Sequence, residues 1–274
     1  MIRLALALVL AAGLAMAEEA ELPRADGATV PVRLAGDWTT PGCPPTLILS
    51  HGLGGTQASL GWLDAPALAA GFRVLAMGHA ETGPAALWRV ARPSDPFAAL
   101  AAPSFWAARA ADLDAAIARA TTHCRPRPFV LGGHSMGAAL TVIEAGSRSP
   151  LPFDGRARFD AYIAISPQGI GWAFERADAW AGIAAPILML TGTRDTVGAE
   201  DWRGRLAAFA GLPPGRKRLA VIEGAGHVAL AGRLMPRTVR DAARAVAGEY
   251  LMHLRTGWRP SALAGRPGLS VTDK

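Results

Sequence analysis

The segment Gly133-His134-Ser135-Met136-Gly137 constrains this chain most, because of what surrounds it. The apolar run at residues 128–132 predicts a buried strand, and the run at residues 138–145 predicts a helix. On such a tight strand-to-helix turn the hydroxyl of Ser135 is pushed out of the top of the sheet. The helix N-terminus favours negative charge beside it. The sequence therefore predicts a sheet with an exposed candidate nucleophile.

A serine hydroxyl is a weak nucleophile unless a general base lies beside it. Among six histidines, His227 follows the strand-like run 221–226, which ends in a glycine-rich loop that can reach over the edge of a sheet. His134 adjoins the serine, but its side chain is expected to point away from the hydroxyl. His123 and His253 lie near the ends of helical stretches. We therefore predict His227 as the base.

The base needs an acid that holds its tautomer and stabilises the imidazolium. Asp195 follows the predicted buried strand 186–191 and is the leading candidate. Its alternative roles are to cap the next helix or to pair with Arg194. The predicted triad thus occurs along the chain in the order Ser135, Asp195, His227.

A glycine-rich loop at residues 51–56 follows the predicted strand 46–50 and is suited to hold an oxyanion. Its glycines allow backbone amides to turn toward a common point. We predict the amides of Leu53 and Met136 as the two donors. His51, in the same loop, is predicted to brace the loop rather than to act as a base.

Predicted strands and helices alternate along the chain, which is typical of an α/β domain. Unbroken apolar runs suit parallel strands that are buried on both faces. The strand at 29–34 is expected to be antiparallel, and the tail at 256–274 is expected to be irregular. The other predicted elements are strands 46–50, 72–77, 128–132, 159–165, 186–191 and 217–222, and helices 57–70, 104–122, 136–147, 173–182, 199–210 and 235–255.

With these motifs the chain resembles the α/β-hydrolase superfamily, whose triad has the same chain order. Segments 50–56 and 71–76 and the serine motif are similar, more narrowly, to a bacterial branch described as dienelactone-hydrolase-like or platelet-activating-factor-acetylhydrolase-like. The resemblance covers about residues 24–255. It implies a mostly parallel twisted sheet with helices on both faces, and a serine esterase without metal or cofactor. Dienelactone hydrolases carry a cysteine, and haloalkane dehalogenases an aspartate, where this chain has Ser135.

The resemblance implies hydrolysis of a small-molecule carboxylic ester through an acyl-enzyme. An amidase, a peptidase, a phospholipid acetylhydrolase and a non-enzymatic binding protein are the alternatives. Few residues separate the predicted strands 159–165 and 186–191, so no large lid domain is expected. The long stretch 78–103 is expected to wall an open cleft. The predicted pocket residues are His79, Trp88 and Trp172.

The N-terminus has the pattern of a secretory signal peptide at residues 1–17. A basic start is followed by the apolar run 4–14 and by Ala15-Met16-Ala17. That run is too short to span a bilayer stably, and an uncleaved anchor or a buried helix is the alternative. We expect a catalytic domain at residues 18–255 that is periplasmic or secreted, without stable membrane insertion after cleavage.

Cys43 and Cys124 precede the strands 46–50 and 128–132, which the resemblance implies are parallel neighbours. Both cysteines would then lie at the same edge of the sheet, and export permits a disulfide. Two separate thiols are the alternative. No Cys-x-x-Cys motif or histidine pair lies nearby, so the cysteines predict no metal site.

The formal net charge of +6 comes from arginines spread along the chain, which has only two lysines. This spread predicts a solvated basic surface rather than a nucleic-acid site. The sequence makes no prediction about oligomeric state.

Overall fold

Nine strands form one sheet in the computed structural model, which describes residues 17–39, 41–90, 100–198 and 200–274, without the side chains of 88–90. Their order across the sheet is β1-β2-β4-β3-β5-β6-β7-β8-β9. In chain order they are β1 (Glu18–Pro23), β2 (Thr29–Ala35), β3 (Thr46–Ser50), β4 (Arg73–Met77), β5 (Phe129–His134), β6 (Ala161–Ile165), β7 (Ile187–Arg194), β8 (Lys217–Gly226) and β9 (Leu269–Asp273).

Helices occupy most of the connections between these strands. None of the described helices is long and apolar enough to cross a lipid bilayer. Two single 3₁₀ turns lie at Gly61–Leu63 and Ala80–Thr82. The helices are α1 (Asp64–Ala69), α2 (Pro84–Val90), α3 (Pro103–Ala120), α4 (Met136–Glu144), α5 (Trp202–Ala210), α6 (His227–Leu230) and α7 (Arg237–Thr256).

The centre of the sheet, from β4 through β3, β5, β6 and β7 to β8, is parallel. Strands β1, β2 and β9 pair antiparallel at its two sides. The carboxyl ends of the parallel strands therefore meet at one edge, where ligands bind in open α/β sheets. The predicted α/β architecture and the antiparallel strand near the N-terminus are confirmed.

The central strands are buried on both faces, as their unbroken apolar runs predicted. Along β3, Ile48 belongs to one core cluster, which includes Trp106 of α3. Leu47 and Leu49 point the other way, into a second cluster that includes Tyr250 of α7. Burying each such leucine contributes about 2 kcal/mol to folding. The sheet is thus held between two apolar layers, which makes it a rigid platform for its edge.

The predicted helix 173–182 is wrong, because this connection is a series of turns. Backbone amides there bond three residues back, as Ala179 does to Arg176 at 3.1 Å. Phe174 and Trp180 are both fully buried, and their ring centroids lie 5.1 Å apart. On a regular helix, residues six positions apart point about 120° apart, which disfavours turning both rings into the same core cluster.

The C-terminal tail is not wholly irregular, since it ends in β9, which pairs with β8. Arg218 of β8 is fully buried and donates to Asp273 at 2.7 Å and to Glu249 of α7 at 2.8 Å. A buried guanidinium is costly unless it is paired, so these two carboxylates favour the docking of the tail. The tail also covers what would otherwise be an open edge of the sheet.

Cys43 and Cys124 form the predicted disulfide, with their Cα atoms 5.7 Å apart. Cys43 lies just before β3, and Cys124 lies just before β5. These two strands pair directly, with Thr46 opposite Phe129. The bridge closes a loop that spans 81 positions of the chain. A closed loop of this length lowers the entropy of the unfolded chain.

Replacing both cysteines with serine is expected to lower the free energy of unfolding by about 2–4 kcal/mol. Urea unfolding of the double variant measures the loss, and the reduced wild-type protein is its control. Equal midpoints for the oxidised wild type and the double variant would show that the bridge contributes nothing to stability.

Candidate active site

Ser135 lies on the turn between β5 and α4, with φ 55° and ψ −117°. Few residues other than glycine adopt such a conformation, and it is typically found at functional sites. Neighbouring backbone holds it: the Ser135 amide donates to the Ile165 carbonyl of β6 at 3.0 Å, and the Ser135 carbonyl accepts from Ala139 at 3.0 Å. The serine is therefore fixed at the carboxyl edge of the sheet.

The two glycines of the motif are required by close backbone contacts. A Cβ atom on Gly137 would lie 2.1 Å from the carbonyl oxygen of Ser50. A Cβ atom on Gly133 would lie 2.1 Å from the carbonyl oxygen of Gly137. Helix α4 can thus approach β3 and β5 only if both side chains are absent.

We expect Gly137→Ala to destabilise the protein by about 3 kcal/mol, because the new methyl group pushes α4 away from β3. Gly171→Ala is the matched control, since a Cβ atom there meets nothing within 4 Å and φ is not positive. Thermal and urea unfolding of both variants check this. The explanation fails if the two variants unfold at the same urea concentration.

His227 and Asp195 meet at the same edge of the sheet. His227 begins α6 directly after β8, and Asp195 follows the adjacent parallel strand β7. The His227 Nδ1 atom lies 2.7 Å from Asp195 Oδ1, and the Thr191 hydroxyl donates to Asp195 Oδ2 at 2.7 Å. A carboxylate at Nδ1 places the proton of the neutral ring there, which leaves the Nε2 lone pair to accept a proton.

Asp195 is fully buried, as is Arg205 of α5, whose Nε atom lies 3.0 Å from Asp195 Oδ2. Burial by itself would raise the pKa of Asp195. The hydrogen bond from His227 and the charge of Arg205 outweigh it and lower that pKa to about 2. The carboxylate is therefore ionised at neutral pH. The sequence does not single out Arg205, because one arginine among many carries no local signal.

His134 lies beneath His227, with the two ring centroids 4.5 Å apart. Its Nε2 atom donates to the carbonyl oxygen of His227 at 3.0 Å. Burial, with the nearby His227, lowers the pKa of His134 to about 3, so this ring is neutral in the folded protein. As the sequence indicated, His134 is not placed as a base for its neighbour, and it supports the His227 backbone instead.

Ser135 and His227 line the same cavity of about 240 Å³, together with Leu53 and Leu100. A larger cavity of about 740 Å³ shares part of this lining and extends between the glycine-rich loop and α2. The residues common to both cavities are Gly54, Gly55, Ser59, Ala231 and Arg233. The two cavities form one cleft around Ser135.

The stretch 78–103 contributes Pro84 and Leu87 to the larger cavity and Leu100 to the smaller one. It is less irregular than expected, since part of it forms α2. Residues 91–99 lie outside the described residues.

The candidate oxyanion donors lie in the glycine-rich loop and at the start of α4. Leu53 lines the cavity that holds Ser135. Met136 follows the serine directly and is the buried first residue of α4. The Gly54 amide, next to Leu53, is bonded to the Thr82 carbonyl at 2.8 Å. The loop is therefore anchored next to the predicted donor.

Two of the predicted pocket residues, His79 and Trp172, do not line the cleft. His79 is not a wall of the cleft: it is 1% exposed, and its ring nitrogens lie 2.7 Å from Asp112 Oδ2 and 2.8 Å from Ser50 Oγ. Trp172 is half-buried, packs against the apolar core and does not line the cleft. The side chain of Trp88 lies outside the described residues. His79 is held in the interior by its two polar partners, and Trp172 is held by its packing on the core.

Within the described ranges, no three His, Cys, Asp or Glu side chains group in a way that could hold a metal ion.

The chain matches no protein-family model and no curated protein. Solved structures do match it. Est1E from Butyrivibrio proteoclasticus is 14% identical with a TM-score of 0.60, covering 86% of this chain and 98% of its own. A protein from Klebsiella pneumoniae assigned as a dienelactone hydrolase is 18% identical with a TM-score of 0.56, and the match covers 86% of this chain and 98% of that protein. The esterase Pf2001 from Pyrococcus furiosus is 17% identical with a TM-score of 0.54, and the match covers 86% of this chain and 91% of that protein. These similarities show that the chain has the α/β-hydrolase fold.

Proposed function

We propose that this protein is a serine hydrolase that cleaves carboxylic esters of small molecules. The observation that carries the proposal is the 2.7 Å contact between Asp195 and His227, with His227 and Ser135 lining one cavity. A strained serine, a histidine and a buried carboxylate at one sheet edge form the arrangement used for acyl transfer. The solved structures with this fold include the esterase Pf2001, which supports an ester substrate.

The first half of the reaction forms an acyl-enzyme. His227 accepts the hydroxyl proton through Nε2 while Ser135 Oγ attacks the ester carbonyl carbon. The amides of Leu53 and Met136 stabilise the oxyanion that forms. His227 then donates the proton to the departing alkoxide.

The second half releases the acid. His227 accepts a proton from water, which attacks the acyl carbon, and the same proton returns to Ser135 as the acyl bond breaks. Asp195 stays ionised throughout, because its pKa is about 2. Its charge stabilises the imidazolium, and its hydrogen bond fixes the ring orientation.

The smaller cavity, which holds Ser135, favours short, apolar acyl groups. The smaller cavity holds about 240 Å³ and is lined by Leu53, Leu100, Val197 and Val228 among others. Pocket walls of this kind bind hydrocarbon by exclusion of water. Longer chains would have to extend into the larger cavity beside α2.

We further propose that the chain is exported after removal of residues 1–17 and acts in the periplasm or outside the cell. The disulfide between Cys43 and Cys124 supports this, since such bonds persist in oxidising compartments.

A fluorophosphonate probe, which reacts with activated serines, tests the proposal. We expect labelling of the wild type, no labelling of Ser135→Ala, and retained labelling of Ser59→Ala. Ser59 is the matched control because it is a second serine that lines the same cavity. If the folded wild type is not labelled, the protein is not a serine hydrolase.

A substrate panel then separates the reaction classes. p-Nitrophenyl acetate, butyrate and decanoate are compared with peptide p-nitroanilides on the purified protein. We expect turnover of the two short esters to dominate. Preferred cleavage of the anilides would replace the esterase proposal with an amidase or peptidase.

A further inference from the structure

A buried polar network lies directly behind the loop that carries Leu53, and the proposed reaction steps do not use it. It contains Arg109 and Asp112 of α3, His79 after β4, and Ser50 at the end of β3. Each of these four residues is 1% exposed or less. Buried polar groups are costly unless they are bonded, so their partners show what the network holds in place.

The donor and the acceptor of each hydrogen bond in this network can be assigned. Arg109 Nη1 donates to Ser50 Oγ at 3.1 Å, and His79 Nδ1 donates to Asp112 Oδ2 at 2.7 Å. His79 Nε2 is then unprotonated and accepts the Ser50 hydroxyl proton at 2.8 Å. Burial lowers the pKa of Arg109 to about 9, against the opposing charges of Asp112 and Glu81, so it stays charged at neutral pH. Ser50 has no exposed surface, so it is not a second nucleophile.

The Arg109 guanidinium also holds the loop on both sides of Leu53. Its Nη1 atom donates to the carbonyl oxygen of His51 at 2.9 Å. Its Nη2 atom donates to Thr82 Oγ1 at 2.8 Å, and the carbonyl oxygen of Thr82 accepts from the Gly54 amide at 2.8 Å. The planar guanidinium of Arg109 thus holds His51, before Leu53, directly, and Gly54, after Leu53, through Thr82.

The His51 ring holds the peptide group that contains the Leu53 amide, together with the Gly55 amide, which donates to the Gly52 carbonyl oxygen at 3.1 Å. His51 Nδ1 donates to the carbonyl oxygen of Gly52 at 2.6 Å, and His51 Nε2 accepts from the His79 amide at 2.8 Å. The Gly52 carbonyl and the Leu53 amide belong to one trans peptide group, so they point in opposite directions. Holding the carbonyl toward the His51 ring therefore turns the amide away from the ring. Gly52 and Leu53 line the cavity that also holds Ser135.

We propose that His51 and Arg109 are positioning residues that aim the Leu53 amide at the oxyanion. The proposal rests on the proposed esterase function. An oxyanion donor accelerates the reaction only if it is oriented before charge develops, and loss of one such donor lowers kcat by about 10²–10³-fold. A misdirected Leu53 amide should therefore lower kcat and leave KM nearly unchanged.

Two substitutions of His51 separate the roles of its ring nitrogens. Asparagine places an amide NH₂ near the position of Nδ1, and glutamine places a polar atom near Nε2. We expect His51→Gln to lower kcat for p-nitrophenyl butyrate by about 100-fold, and His51→Asn to lower it by less than about tenfold. Arg109→Lys, which keeps the charge but loses the fork, should lie between them. His123→Gln is the control, since His123 is exposed, and it should match the wild type.

Inhibition by a trifluoromethyl ketone distinguishes positioning from a merely structural role. Its adduct with the serine carries an oxyanion, so its Ki should rise by the same factor as kcat/KM falls across these variants. Equal kcat values for His51→Gln and His51→Asn, or a loss confined to KM, would overturn the proposal.

A measurement on the wild type keeps the proposal testable if the variants do not fold. Nitrogen-15 NMR of the histidine rings should show His51 protonated at Nδ1 and unprotonated at Nε2. The opposite tautomer would overturn the proposal, because Nδ1 could not donate to Gly52. A wild type that cleaves no ester contradicts the proposed function, and with it any catalytic positioning. An active wild type with the wrong tautomer contradicts the positioning alone.

Discussion

Replacing Ser135 with alanine lowers kcat for ester hydrolysis by on the order of 10⁶-fold, the loss seen when a serine triad loses its nucleophile. Alanine removes the attacking oxygen, and the Thr191 hydroxyl nearby is bonded to Asp195 and cannot replace it as the nucleophile. The KM should change little, since the cavity walls remain. Steady-state rates with p-nitrophenyl butyrate measure the effect.

The double variant Ser135→Ala/His227→Ala provides the control for this loss. Triad residues act as a unit, so the second substitution should lower the rate by little more. Two losses that multiply would show that His227 and Ser135 act independently and would contradict the proposed triad. Both variants should keep the thermal midpoint of the wild type within a few degrees.

The free energy of unfolding falls by on the order of 5 kcal/mol between pH 7 and pH 4.5, because buried neutral histidines protonate on unfolding. Burial lowers the pKa of His134 to about 3. Burial and the nearby charge of Arg109 lower the pKa of His51 and of His79 well below the usual range. Below about pH 6.5 the unfolded chain therefore binds more protons than the folded protein, and stability present above that pH is lost.

Two carboxyl groups oppose this loss. Burial raises the pKa of Asp112 to about 6 and raises that of Asp64. Their protonation favours the folded protein as the pH falls, and so it reduces the loss that the histidines cause. Urea unfolding at several pH values measures the slope. His134→Gln should reduce the loss by about 2–3 kcal/mol, whereas the exposed His123→Gln should not. A pH-independent unfolding midpoint between pH 7 and 4.5 would contradict this explanation.

Local patterns were sufficient to predict most of the sheet. Each strand from β3 to β8 contains a short apolar run, because a parallel strand that is buried on both faces needs apolar residues along most of its length. The same patterns predicted Ser135, Asp195 and His227, since each follows the end of such a run. Parallel strands bring their ends to one edge, so these distant positions meet there in the structure.

Contacts between residues that are distant in the sequence determine two features that the local patterns did not predict. The tail forms β9 because Arg218, buried by the fold, is paired with Asp273. The connection after β6 is not helical, because Phe174 and Trp180 are both drawn into the core. Neither contact has a signature in the local sequence.

The sequence by itself determined the α/β architecture and the candidate nucleophile, base and acid, because apolar runs and glycine turns act over a few residues. Only the tertiary structure decided the surroundings of that site: Arg205 beside Asp195, and the buried Arg109 and His79 behind the loop of Leu53. A charged or polar side chain is costly to bury unless groups from other elements pair with it. Those partners are chosen by how the chain folds back on itself, which spacing along the sequence does not record.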